Sequence, residues 1–402
     1  MDLRGKHCLV TGATGSLGAR LVEYLAERGA GIRVFVGDLS RGARVGRFEV
    51  EFVQGEISDQ GAVARASEGA EYVFQCPQDV PEGRRDWRAW VAGTRVVAEA
   101  SRAVGARLLH VSSAAVYGPG EENELDESRP RAPADPRAEA EAEAESLVLE
   151  LARAGDLAAA VVQPTVVYGP FCPWTVRTLT ELKSGRAILI DGGDGTCNAV
   201  YVDDVVRGIH LAATREEAVG EAFLLGGMEM TSWAAFLGAH ERMLHLENHV
   251  DLSAAEARAL HARLFGRKRV VREGLSIFRE RPDVRLRLEQ TSEVQILLRA
   301  ARLVMPERVR RKVRSTLTGN WPAPKAVPGL TNPKPVPIPK PPPIQPLEPF
   351  EIDLRRSTAR VPSTKARKVL GYEPRVDFEH GMRRVAEWAD WAGFLGARER
   401  VL

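Results

Sequence analysis

Apolar residues at the start of the chain come in short blocks separated by helical patterns. Cys8-Leu9-Val10 is an apolar run that ends in Thr11-Gly12-Ala13-Thr14-Gly15-Ser16-Leu17-Gly18. Leu17, Leu21, Val22 and Leu25 then recur at helical spacing. The pattern predicts strand, glycine turn and helix. Further blocks at 32–36, 50–53, 70–75 and 108–112 predict strands, and residues 84–104, with Trp87, Trp90, Val91, Val97 and Val104, predict a helix. Strands alternating with helices imply a parallel sheet with right-handed crossovers, whose ligands sit at the carboxyl ends of the strands. The alternation continues with a helix at 137–154, carrying Leu147, Val148 and Leu151, a strand at 158–162, a helix at 175–183 and a strand at 187–190. Asp203 and Asp204 suit the N-terminus of a further helix.

The glycine turn suggests phosphate chemistry. Glycines let the backbone approach a pyrophosphate closely, and the helix start offers free N–H groups and a positive dipole end. The strand before and the helix after supply the context that a bare glycine pattern lacks. The second strand ends in Gly37-Asp38-Leu39-Ser40-Arg41. An acid about 20 residues beyond the glycines is placed to accept hydrogen bonds from an adenosine ribose, which makes Asp38 the candidate. Arg41 is the alternative, facing a 2′-phosphate, and a pair of solvated loop charges is the reading that gives neither a role.

The 402 residues hold one large or two to three ordinary domains, and 44% hydrophobic content supports a real core. A net charge of +2 gives no global pull toward nucleic acid. Cys8, Cys76, Cys172 and Cys197 are far apart with no CxxC pair, so reduced thiols are expected, with neither a metal site nor a disulfide framework. No run approaches the ~18 apolar residues of a membrane span, and no basic-plus-apolar leader precedes the first strand. The expectation is a soluble cytoplasmic protein.

The motifs TGATGSLG, QGEIS, AGT at 92–94, SSAAVYG at 112–118, PTVVYGP at 164–170, VYVDDV at 200–205 and the stretch 363–388 occur together in order. With them the chain resembles the extended short-chain dehydrogenase/reductases, the nucleotide-sugar epimerase/dehydratase family. The resemblance covers about 1–240 and 360–395. It implies a Rossmann-type, doubly wound parallel sheet of class α/β over 1–170, with contributions from about 198–228. A smaller substrate-binding part follows at 171–240 and 351–402. It also implies NAD(P), with NAD preferred, held by Gly12, Thr14, Gly15, Ser16, Leu17 and Gly18, then by Asp38, Leu39, Arg41, Glu56 and Ile57. Gln75, Cys76, Pro77, Ser112, Pro164 and Val167 complete that set. A homodimer through the helices near 84–104 and 137–154 is implied too.

The departures from the family carry more information. Its hydride chemistry looks to a Ser/Thr, a Tyr and a Lys in a YxxxK helix. Ser113, four residues before Tyr117, keeps the first spacing. Where family members resemble DPYGRSKAEAE, this chain reads DPRAEAEAEAE, with Arg137 at the tyrosine position and Glu141 at the lysine position. Arginine stays protonated and cannot act as the base. The two residues lie at i, i+4, so a solvated helical ion pair is one reading. Glu141 as a replacement acid/base, beside Ser113 and Tyr117, is the other. Gln163 stands where the family has Arg, Val166 where it has Asn, and Trp90 where it has Asn before the VxGT stretch.

Residues 241–319 form a helical, basic insertion, with predicted helices at 253–266, opened by a cap-like Ser253, and at 284–303. The basic run 306–315 is a candidate surface for an acidic substrate, a protein partner or a membrane surface, or a solvated helix end. Residues 320–350 are a proline-rich arm: a stiff linker, an SH3-type ligand or a strap packed over the domain. Three functions remain open. One is an NAD(P)-dependent epimerase/dehydratase-like enzyme on a nucleotide-linked sugar or similar polyhydroxylated small molecule. The second is a non-redox cyclase, isomerase or lyase, and the third a cofactor-binding regulator or scaffold.

Overall fold

A computed structural model describes residues 3–76, 87–120, 124–265 and 346–396. Pro77, the predicted helix at 284–303, the basic run 306–315 and the proline-rich arm up to residue 345 lie outside the described residues.

The predicted alternation forms one sheet and two helical layers. The first half runs β1 (His7–Thr11), α1 (Ser16–Ala26), β2 (Gly31–Val36), β3 (Val50–Gln54), α2 (Gln60–Ser67), β4 (Tyr72–Gln75), α3 (Trp87–Val104) and β5 (Arg107–Val111). Then come α4 (Pro136–Arg153), β6 (Ala159–Pro164), β7 (Val166–Tyr168), α5 (Pro173–Lys183), β8 (Ala187–Ile190), β9 (Thr196–Cys197), β10 (Ala199–Tyr201) and α6 (Val202–Thr214). The rest is β11 (Ala222–Leu225), β12 (Thr231–Ser232), α7 (Trp233–Leu244), β13 (His249–Leu252), α8 (Ala254–Phe265), α9 (Pro349–Arg356) and α10 (Phe378–Trp391).

The main sheet is parallel, in the order β11-β6-β5-β4-β1-β2-β3. Its inner strands are near-continuous apolar runs because helices cover both faces, while edge strand β3 carries exposed Glu51 and Gln54. Leu21, Val22 and Leu25 of α1 share one core with Val205, Val206 and Ile209 of α6. Val63 of α2, Val97 of α3 and Val148 of α4 share the other. The sheet therefore separates an α1/α6 side from an α2/α3/α4 side.

Register aligns the strand ends. Thr11 pairs with both Phe35 and Gln75, Gln75 with His110, and Val111 with Val162. The N–H of Cys76 donates to Thr11 O at 3.2 Å, and that of Ser112 to Val162 O at 2.9 Å. Gly12, Cys76 and Ser112 thus leave the sheet side by side at its carboxyl edge.

Beyond the sheet, β7 pairs with β10, β8 with β13, and β9 with β12. The β8–β13 pair places residues 249–252 in the folded body, so the insertion starts later than position 241. Residues up to Arg258, with those from Ile344 on, form one compact unit whose boundary falls within α8. The proline-rich arm also ends early: Pro349 opens α9 at a position where its missing N–H costs nothing, inside a capping box of Glu348 and Glu351. Asp204, fully buried, ties the C-terminal stretch down by accepting from the N–H groups of Arg375 (2.9 Å) and Val376 (3.1 Å). Among the described residues no helix is long and apolar enough to cross a membrane.

Candidate active site

The glycine turn has the geometry its sequence predicts. Gly12 turns with φ of 68°, a region that favours glycine, and its carbonyl accepts from Gly15 N–H at 2.9 Å. Gly18 lies so close that a Cβ would sit 2.8 Å from the Gly12 carbonyl carbon. Helix α1 begins on Gly15 without a side-chain cap, leaving its positive end facing the sheet edge. Ser112, on the same edge, has a buried hydroxyl with no partner among the described residues. A glycine cradle, an uncapped helix start and an orphaned hydroxyl on one edge fit a dinucleotide.

At the tip of β2, exposed Asp38 accepts from Ser40 N–H (2.9 Å) and Ser40 Oγ (2.7 Å) through Oδ1. Those bonds hold its carboxyl below the ordinary range. Leu39 and Arg41 beside it are exposed, as is Glu56 at the next tip. Ile57 packs on Gly93, whose Cβ, if present, would lie 2.7 Å from the Ile57 methyl, which explains the glycine of the AGT stretch. Pro164 is buried at the end of β6, and Val167 is half-buried in β7.

Gln75 and Cys76 reach the edge with their backbones, while their side chains turn into the core. Thr94 Oγ1 donates to Trp90 O (3.1 Å), so it accepts from Gln75 Nε2 (2.9 Å). Gln75 Oε1 must then accept from Nδ1–H of His110 (3.0 Å). His110 Nε2 is left bare, with no partner among the described residues. Burial pushes His110 down to about 4 and the Cys76 thiol up to about 12, so both are neutral.

The substrate-side residues converge. Asp135 caps α4 by accepting from the N–H groups of Arg137 (2.7 Å) and Ala138 (3.0 Å). That sets the helix phase, so Glu141, Glu145 and Val148 face inward. Ser113 Oγ accepts from Ala115 N–H (3.1 Å) and donates to Glu141 Oε2 (2.8 Å), while Arg137 Nε donates to Glu141 Oε1 (2.8 Å). The pair is not the solvated helical pair its spacing suggested: the Arg137 side chain is 56% exposed and that of Glu141 only 9%.

Tyr117 belongs to a different network. Its hydroxyl is buried and donates to Gln163 Oε1 (3.0 Å). Gln163 Nε2 donates to both oxygens of fully buried Glu145 (2.8 and 2.9 Å), which also binds the Arg131 guanidinium. Burial pushes the Tyr117 hydroxyl up to about 12, so it stays protonated. Sequence reasoning missed Glu145 and Arg131. No helical stripe in α4 sets Glu145 apart from its neighbouring glutamates.

A family model described as the NAD dependent epimerase/dehydratase family matches residues 8–226. Over 251 residues the chain is 30% identical to sterol demethylase protein B of Methylococcus capsulatus, covering 58% of this chain and 75% of that protein. Over 237 residues it is 31% identical to mouse sterol-4-alpha-carboxylate 3-dehydrogenase, decarboxylating, covering 56% of this chain but 63% of the relative's length. Among solved structures, a Bacillus anthracis dTDP-glucose 4,6-dehydratase in complex with NAD superposes with a TM-score of 0.63 at 15% identity, over 96% of this chain and 97% of that one. A Thermotoga maritima UDP-glucose 4-epimerase with UDP-glucose gives 0.63 at 19% identity, over 96% and 99%. At these identities the superpositions speak for the fold alone.

Proposed function

The chain belongs to the NAD-dependent epimerase/dehydratase family, a family of enzymes, and from that premise we propose that it acts on a hydroxylated ring compound with Glu141 managing the proton. The observation that carries this reading is the hydrogen-bonded line Ser113–Glu141–Arg137. It occupies the place where the family resemblance puts a tyrosine and a lysine. Ser113 Oγ and Glu141 Oε2 are 2.8 Å apart, so a substrate hydroxyl bonded to one is within reach of the other. Glu141 accepts the proton directly or through Ser113. Arg137, held by the capped start of α4, fixes the carboxylate in one orientation.

Bound NAD would supply hydride transfer at its nicotinamide. The Gly12–Gly18 turn and the start of α1 would hold its pyrophosphate, and Asp38 its adenosine ribose. An ionised Asp38 at that point favours NAD over NADP, because a 2′-phosphate would meet a like charge. The relatives are named for a sterol carboxylate and the structural neighbours for nucleotide sugars. Both are hydroxylated rings, which supports that substrate class.

Calorimetry with NADH should give saturable binding, undisturbed by Glu141→Gln. Turnover on a panel of UDP-sugars and hydroxysteroid acids should fall about 10²–10⁴-fold in Glu141→Gln, the usual range for losing a general acid/base. Absence of binding at millimolar NADH, or full turnover in the Glu141→Gln variant, would overturn the proposal.

A further inference from the structure

On the α1/α6 side of the sheet, away from Ser113 and Glu141, lies a cleft of about 470 Å³. It is lined by Arg20, Arg44 and Arg47 against Phe171 and Trp391. Two of the arginines are committed. Arg20 Nε donates to Asp203 at 2.7 Å, and Arg47 pairs with Glu23 at 2.9 Å. Arg44 makes no ion pair with any described residue; its guanidinium lies over the Phe171 ring at 4.0 Å. Phe171 presents that ring from a backbone φ of 63°, which L side chains rarely adopt and which persists where the surroundings enforce it. Trp391, edge-on to Phe171 at 6.2 Å between centroids, is 77% exposed.

Arg44 is half-buried and makes no ion pair among the described residues, although Glu23, bound to Arg47, lines the same cleft; an anion can meet its uncovered edge, and an exposed indole beside it offers a stacking face. We propose that this cleft binds a planar aromatic anion. Its ring stacks on Trp391 and its phosphate or carboxylate lies on the free edge of Arg44. The volume falls in the ordinary range of small-molecule sites, about 300–1,000 Å³. Arg44 also fits the role electrically: desolvation lowers its pKa from the usual guanidinium value, a penalty that a bound anion relieves.

Trp391 supplies the readout. The full chain is titrated with 4-nitrobenzoate and 4-nitrophenyl phosphate, two aromatic anions that quench tryptophan, and with neutral 4-nitrobenzyl alcohol. The expected result is saturable quenching by both anions and at least tenfold weaker binding of the alcohol. Trp391→Phe should lose the saturable part. Arg44→Ala should raise the apparent Kd at least tenfold, and Arg44→Lys, which keeps the charge, should recover part of it. Unsaturable quenching, equal affinity for the alcohol, or an unchanged Kd in Arg44→Ala would each overturn the proposal.

Discussion

Acidification from pH 7 to pH 5 should weaken this fold through two buried histidines. His110 and His240 are both fully buried, and burial lowers each from 6.5 to about 4. His110 spends Nδ1–H on Gln75, and His240 Nδ1 faces the Phe236 carbonyl at 2.8 Å. Both Nε2 atoms lack a partner among the described residues. Protonation would create a buried N–H⁺ with no acceptor among the described residues, so the folded state resists the proton that the unfolded state takes. For such a depressed base, stability is complete above pH 6.5 and drains away as the pH falls toward 4. At pH 5 the linkage relation gives about 2 kcal/mol lost per histidine, about 4 kcal/mol for the pair. That is a large share of a typical stability of about 5–15 kcal/mol.

Urea unfolding at half-unit steps between pH 7 and 5 measures this directly. The loss should steepen toward about 1.4 kcal/mol per pH unit per histidine. His110→Asn, which keeps a short donor toward Gln75, should remove about half of the slope. Equal stability at pH 7 and 5, or an unaltered slope in a His110→Asn, His240→Asn double variant, would refute the reasoning. Carboxylates held low by their partners do not confuse the test, because they titrate below this window. Burial would raise Glu351, but its Arg177 partner outweighs that and holds it below the ordinary range.

Two more outcomes follow from the geometry around the site. Gly18→Ala drives a methyl into the Gly12 carbonyl, so it should cost about 1–3 kcal/mol despite alanine's better helix propensity, and should weaken NADH binding in calorimetry. A Gly18→Ala protein that is more stable and binds equally well would contradict the close packing. Tyr117→Phe removes one buried hydrogen bond, so denaturant unfolding should show a loss of about 1 kcal/mol with turnover retained, whereas collapse of turnover would place Tyr117 in the chemistry.

Six of the seven strands of the main sheet were readable as apolar blocks, most clearly the inner ones buried on both faces, as in Cys8-Leu9-Val10, whereas β11 at one edge was not predicted. Strands β7, β9, β10 and β12 were not, because two or three residues contain no period to detect. The glycine turn was readable because the need for a positive φ at Gly12 and close packing at Gly18 limits those positions to glycine. Gln75 and Cys76 were only half readable: strand position gave their place at the edge, but the direction of their side chains depends on Thr94 and His110, which reach them from other elements.

Helix α4 is the hardest case and the most informative. Its stretch Ala138-Glu139-Ala140-Glu141-Ala142-Glu143-Ala144-Glu145 alternates at period two, so no helical stripe separates an inner from an outer face. All four glutamates therefore look solvated. What divides them is the cap at Asp135, which sets the phase, and the cations around the helix. Glu145 enters the core because Arg131 and Gln163 meet its charge there, and Glu141 enters one turn earlier because Ser113 and Arg137 do the same. An unpaired carboxylate would not be buried in either place. Two separate clusters thus turn carboxylates inward along one face of α4: Glu145 with Gln163 and Arg131, and Glu141, one turn earlier, with Arg137 and Ser113.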